Sequence, residues 1–426
     1  MKITDIEIHE ICPPFHSWNS QALIRHQGSD FRYRTMFVVH TDNGLEGLGD
    51  GLGRRTPADD AWVERIVGTD AWDWLAHPEL PTRLAPAIYD LVAKYNEIPV
   101  YRIFGQRVQA RPVPGSGWMA RRVPVSAWTV SQTPAKMAEE VIHAVKLGHT
   151  WLKYHTNHFH NVVEQTEAMQ DVAPPGFKIH YDMNFDNTVE HIVNLSRRLE
   201  KYPIAGAIED PLTNEDFEGY KQLRLRSRIP IYFHHLRLTG REAMLGLADG
   251  YLMGHTPIGQ LIMRAGLFEG ANMPFMMQNT GGNITRAFVA HMASVFPTAT
   301  IHHVTGTDLW SEDVVSPSFT VEGGTIAVTD GPGLGVTLNR DALERWEKAK
   351  PDPNPRSLVR VKYRDMPLIF TRVGITNLED RSASSPSFMD AYGGGYDQPV
   401  DMDYWDDDGS KEFADLWDRA SAGPVS

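Results

Sequence analysis

Eight short β-like runs, each ending in a polar residue, recur along this chain at nearly constant spacing. With Ser131, His155, Asp182, Glu209, His235, Gly254, Gln278 and His303 as terminal residues, the steps are 24, 27, 27, 26, 19, 24 and 25. Each step holds one strand and one returning helix, and eight such units are what a (β/α)8 barrel requires. Four of them would also suit a doubly wound sheet, which eight make the weaker reading. In a barrel of this kind the functional groups lie at the C-terminal ends of the strands. Here those ends carry Lys153 and His155, Asp182 and Asn184, Glu209 and Asp210, His234 and His235, then His255, Gln278 and His303. Side chains alternate between interior and helix layer, so one member of each adjacent pair faces the mouth.

The flanking segments read differently. MKITDIEIHEIC and RTMFVVHTD alternate like antiparallel strands, DNGLEG carries a turn signal, and residues 59 to 101 are helical in pattern. Gly105 and VPGSGW mark a boundary. The expected division is an α+β capping domain over 1–118, the barrel over 119–348, and a C-terminal extension over 349–426. DGPGLGVTLNRDALERW closes the barrel as strand, turn and helix. The extension is poor in aliphatic residues and rich in Asp, Gly and aromatics, as expected of an extended arm packed on the cap or on a neighbouring subunit. That last expectation carries with it a homo-oligomer.

The strand-end residues suggest a chemistry. Adjacent strands lie about 4.8 Å apart, so Asp182, Glu209 and one fifth-strand histidine can converge on one cation. His235 is read as that ligand and His234 as packed outward. Two carboxylates and an imidazole can hold Mg²⁺ with water, and the imidazole also admits Mn²⁺, Fe²⁺ or Zn²⁺. Lys153 and His155 share a face, and either could be a general base if its pKa were brought toward neutrality. A metal beside a base suits removal of the proton α to a carboxylate, with the ion stabilising the enediolate. His158 and His160 are expected in a solvated loop, and His291 reads as structural.

On these motifs the chain resembles the enolase superfamily, within it the mandelate racemase and muconate lactonizing enzyme group. TDNGLEGLGD is similar to that family's cap hairpin and IYDLVAKYNEIPVYRIFGQRV to its linking helix. YDMN matches the third-strand Asp-x-Asn, IEDP the fourth-strand Glu, and LKYH stands where a Lys-x-Lys pair is usual. The resemblance implies Asp182 and Glu209 as metal ligands, Lys153 and His155 at the base position, and Mg²⁺ as the ordinary ion. The departures are the fifth-strand acid, replaced by His235, and the eighth-strand acid, replaced by His303. A sixth-strand Lys is replaced by Gly254 beside His255, and a seventh-strand His by Gln278. With the second base missing unless His255 or His303 supplies it, a dehydratase acting on a sugar acid or related hydroxy acid is the expected activity. The alternatives are a cycloisomerase or epimerase, or a non-catalytic ligand-binding member. Asn184 and Gln278 are expected near substrate. So are Trp18, His26, Arg32, Tyr33 and Arg34 from a cap loop closing over the mouth, and Asp308 or Trp310 from TGTDLW.

Charge and length exclude other classes. The 426 residues hold 41 Lys and Arg against 54 Asp and Glu, a net charge of −13. No basic stripe serves a nucleic acid, and no apolar run is long enough to span a bilayer. One cysteine, Cys12, leaves no internal disulfide, and a cytoplasmic setting is expected. Residues 390–426 carry ten acids and two bases, so the net charge is largely a property of the tail.

Overall fold

The computed structural model describes residues 1–105, 111–112, 119–157, 160–184, 187–234, 245–351, 353–354, 356–363, 367–372 and 400–426. The cap begins with a three-stranded antiparallel sheet of β1 (Ile3–Ile11), β2 (Arg34–Thr41) and β3 (Glu46–Leu52), in that order. Between β1 and β2 runs helix α1 (Ser20–Gln27), and after β3 come α2 (Pro57–Ile66) and α3 (Ala85–Tyr95). The sequence of β3 explains its partner. Gly47 and Gly49 lie under α3 so closely that an added Cβ would meet the Ala87 carbonyl oxygen at 2.2 Å and that of Arg83 at 2.6 Å. Glycine is what lets helix backbone rest directly on strand backbone.

Eight parallel strands among the described residues form the barrel: β4 (Arg122–Val130), β5 (Trp151–His155), β6 (Lys178–Asp182), β7 (Ala205–Glu209), β8 (Ile231–Phe233), β9 (Gly250–Gly254), β10 (Phe275–Gln278) and β11 (His303–Val304). Pairing of His303 with Val125 closes the sheet on itself. A further strand, β12 (Thr325–Ala327), adds antiparallel to the start of β4. The helices are α4 (Pro134–Lys146), α5 (Val162–Val172), α6 (Val189–Leu199), α7 (Phe217–Arg226), α8 (Ile258–Gly270), α9 (Asn283–Ala293) and α10 (Arg340–Lys348). Outward strand residues such as Tyr154, Ile179, Ile208, Phe233 and Met277 join the helices in one continuous core. Inward ones, Ala207, Tyr232, Leu252, Met276 and Val304 with Trp128 and Trp151, fill the barrel below its mouth. Among the described residues no helix is long and apolar enough to cross a membrane.

The C-terminal extension has its own small core. Strand β13 (Ser357–Tyr363) sits between β14 (Ile369–Arg372) and β15 (Val400–Asp406), all antiparallel, with α11 (Lys411–Arg419) packed beside them. Leu358, Phe370, Phe413, Leu416 and Ala420 cluster between sheet and helix. The scarcity of aliphatic side chains suggested only an arm; the aromatic residues supply the apolar area instead. Phe388, Tyr392 and Tyr396 lie outside the described residues. This subdomain meets the cap at α1, through Gln21 and Arg25 on Asp406 and the Ser29 amide on Asn354.

A buried ionic cluster fastens cap to barrel. Arg34, fully buried, pairs with Asp313 at 2.9 Å and lies 3.5 Å from Asp50. Asp50 then accepts the Gly282 and Thr285 amides at 2.7 and 2.9 Å, while Asp313 accepts the Asn283 amide at 2.7 Å. Two carboxylates thus take up free N–H groups at the N-terminus of α9, where the helix dipole also favours them. Truncating one member leaves the others as uncompensated buried charge. Asp50→Ala is expected to cost about 3–5 kcal/mol of stability, read from urea titration followed by tryptophan fluorescence.

Candidate active site

Strand register brings the candidate residues together. His155 pairs with Asp182 across β5 and β6, and Asp182 with Glu209 across β6 and β7. On β8 the partner of Glu209 is Tyr232. Tyr232 points into the barrel, so the next inward residue is His234, two positions on. This corrects the sequence reading: His234 faces the mouth, with its Nδ1 2.9 Å from Glu209 Oε1. Asp182, Glu209 and His234 each offer a ligand atom within 4.8 Å of one another. His235 lies outside the described residues, as does His158. The sixth strand explains why an imidazole fits at this point. A Cβ at Gly254 would meet His234 Nε2 at 2.1 Å, so the missing side chain is the space into which the ring projects.

Glu209 is the most heavily engaged group. Its two oxygens lie 2.8 and 2.7 Å from Lys153 Nζ, and Oε2 is also 2.8 Å from His180 Nε2. Burial alone would raise the Glu209 pKa; Lys153, His180 and His234 more than reverse this and hold it well below the usual carboxylate range. Lys153 completes the exchange by reaching Asp182 at 3.1 Å and the Gln278 side-chain oxygen at 2.6 Å. Burial opposes its charge, but the carboxylates prevail and raise its pKa above the ordinary lysine value. The two acids thus favour the ammonium form of Lys153. His155 shifts the other way. Burial lowers its pKa well below the ordinary histidine value against the pull of Asp182, 3.3 Å away, so the ring is neutral.

Below this layer lies a pair that sequence reasoning missed. His180 Nδ1 is 2.9 Å from His302 Nε2, both rings are buried, and His302 stacks on Trp151 with centroids 3.9 Å apart. Burial lowers the pKa of both imidazoles. His180 thus presents Nε2 toward Glu209 and Nδ1 toward the His302 ring. The available signal was alternation, since His180 stands two residues before Asp182 on the same face.

Other expected residues have structural posts. Asn184, in the left-handed region with φ 51°, donates its side-chain amide to the Thr156 and Asp182 carbonyls and braces the third strand end. Asp210, with φ 42°, accepts the His234 amide at 2.9 Å. His303 does not enter the barrel: Val304 is the inward residue, and His303 Nδ1 accepts the Met277 amide at 3.0 Å. His255 is exposed and lines a cap–barrel cavity of about 350 Å³ with Asp50, Arg83 and Asn279. Arg34 belongs to the buried cluster already described. Tyr33 is buried beneath the Arg54 guanidinium. Trp18 is sandwiched between His16 and His143, with centroids 3.9 and 4.2 Å away, against α4. Asp308 is held by Arg286 and by His149 at 2.8 Å, and Trp310 donates to the Arg32 carbonyl. His160 is buried, its Nδ1 3.3 Å from Ser131 Oγ, in contrast to the solvated loop expected of it. His291 is structural as expected, joining Tyr101 to Thr329. From the cap, one ring does reach the mouth: His26 of α1 meets His155 edge to face, centroids 5.7 Å apart.

A capped, closed barrel with two carboxylates and an imidazole at the mouth is thus the class of protein in hand. Residues 136–342 match the family described as enolase C-terminal domain-like, and this likeness supports the enolase superfamily. Among relatives, it is 23% identical over 291 residues to a D-gluconate dehydratase of Thermoproteus tenax, covering 63% of this chain and 56% of that one. The chain therefore spans little more than half of that relative. It is 22% identical over 367 residues to a D-galactonate dehydratase of Xanthomonas oryzae pv. oryzae, covering 75% and 92%. A solved enolase of Thermobispora bispora, complexed with magnesium and formate, superposes with TM-score 0.64 at 20% identity, covering 82% of this chain and 93% of that one.

Two outcomes test this geometry. Gly254→Ala should turn the His234 ring away from Glu209 without unfolding the barrel, seen in a crystal structure, and weaken Mn²⁺ binding by calorimetry at least tenfold. For Asp308, burial raises the pKa but Arg286 and His149 depress it far below the ordinary value. Its contribution to stability is therefore present above the unfolded pKa of about 4 and is lost as pH falls through the depressed folded value. Asp308→Asn should lower the melting temperature near pH 6, with the deficit shrinking as the solution is acidified well below pH 4.

Proposed function

We propose that the chain is a metal-dependent lyase that removes the proton α to the carboxylate of a sugar acid and expels the β-hydroxyl as water. The observation that carries this reading is the neutral His155 imidazole in register beside Asp182 and Glu209, with Lys153 held as an ammonium next to them. The donor set fits a divalent ion. Asp182, Glu209 and His234 are convergent, and the position already accommodates the positive charge of Lys153. Mg²⁺ is the ion by family, and His234 also suits Mn²⁺, Fe²⁺ or Zn²⁺. When bound, the ion supplies positive charge to the substrate carboxylate as negative charge builds there.

The protein's own groups do the rest. His155 accepts the α-proton, and Asp182 at 3.3 Å stabilises the imidazolium that results. Lys153 presents a fixed cation, oriented by Gln278 and by both acids, toward the developing charge. His180, braced by His302, keeps Glu209 from rotating. Elimination is favoured over epimerisation by the sixth strand. Epimerisation needs a second base on the opposite face, and Gly254 offers no side chain while His234 fills its space.

In deuterium oxide, with metal supplied, the protein should exchange or eliminate the α-proton of D-gluconate, D-galactonate or a related acid. His155→Ala should lower that rate by about 10²–10⁴ with the far-UV spectrum unchanged. Full exchange by His155→Ala, or none by the wild type across such a panel, refutes the reading.

A further inference from the structure

An elimination needs a proton for the departing hydroxyl as well as a base, and the described residues at the strand ends leave that donor unassigned. Lys153 is engaged with Glu209, Asp182 and Gln278, His180 and His302 lie buried beneath, and His303 faces away from the mouth. The cap supplies a candidate. His26, near the C-terminus of α1, is exposed, and its ring stands edge-on to His155 with centroids 5.7 Å apart. Trp128 walls the other side of His155 at 5.0 Å.

The placement of α1 is built rather than incidental. On its inner face Leu23 packs with Phe31, Phe15 and Val130, the last residue of the first barrel strand. On its outer face the C-terminal subdomain grips it. Asp406 of β15 accepts from Gln21 at 2.8 Å and from Arg25, and is itself anchored by the Ser357 hydroxyl of β13 at 2.7 Å. The Arg25 guanidinium lies 4.5 Å over the Tyr404 ring, and Asn354 accepts the Ser29 amide at 2.7 Å. Arg25 and His26 are neighbours in sequence, so this grip fixes the turn of helix that carries the His26 ring.

We propose that His26 is the acid of the reaction, protonating the leaving β-hydroxyl, and that the C-terminal subdomain is the clamp that holds it in reach. The inference rests on the lyase reading above and extends it. His155 takes the α-proton and the C–H electron pair is held on the substrate as an enediolate; that pair then forms the new carbon–carbon double bond as the β C–O bond breaks. Oxygen leaves with the proton of His26 as water. The two rings are in contact, so the proton on His155 can return to His26 and no external acid is consumed. Base and acid on one side of the substrate make this a syn elimination.

The test separates exchange from elimination with D-gluconate and D-galactonate, and adds the 3-deoxy-3-fluoro analogue of each, since fluoride departs with little help from an acid. His26→Gln should retain α-proton exchange in deuterium oxide within about threefold, lose dehydration by about 10²-fold, and keep fluoride release near the wild-type rate. Arg25→Met and Asp406→Asn should lower dehydration in the same pattern, by a smaller factor. Equal loss of exchange, dehydration and fluoride release in His26→Gln would overturn the acid role and leave the lyase reading intact. Unchanged dehydration in that variant would do the same. No exchange by the wild type refutes the lyase reading, and this proposal with it.

Discussion

Two carboxylates side by side inside a barrel mouth are expensive to bury, and most of what surrounds them offsets that cost. Glu209 has an ammonium and two imidazoles on its oxygens, and Asp182 shares the ammonium and adds His155. Lys153 is thereby committed to a charged, fixed state, and the neutral group left on the same strand is His155. The opposite shifts of the two second-strand groups follow from burial and from the acids of the third and fourth strands.

The same logic attaches the cap. Arg34 lies between Asp50 and Asp313, and both acids also meet amides at the start of α9. In the sequence, Arg34 stood in a loop expected to close over the mouth, where a cationic side chain reads as a substrate contact. Its charge is spent on joining domains. The side chain from that region that does reach the mouth is His26, whose helix is held by Leu23 beneath and Asp406 above.

Legibility was uneven for physical reasons. The barrel could be read because polar residues recur at or beside the strand ends at regular spacing, and the acids at 182 and 209 because YDMN and IEDP stand out there. The fifth and eighth strands each present two histidines, and a strand of two or three residues shows no alternation of its own. Tyr232 and Val304, inward in the folded barrel, settle that His234 and His302 face inside while His303 does not. The ion pairs of Asp308 and Arg34 were not legible because their partners, Arg286 and Asp313, come from distant parts of the chain. The C-terminal subdomain was obscured by composition, since its core mixes two phenylalanines with few aliphatic residues and its last strand is rich in aspartate.

The close fit of His234 against Gly254 ties two strands together. With the ring in this orientation a sixth-strand side chain of any size would displace it, so the residue at 254 and the direction of the His234 ring are coupled. The barrel mouth is in that sense interlocked: a side chain left out of one strand sets the aim of a ring on its neighbour.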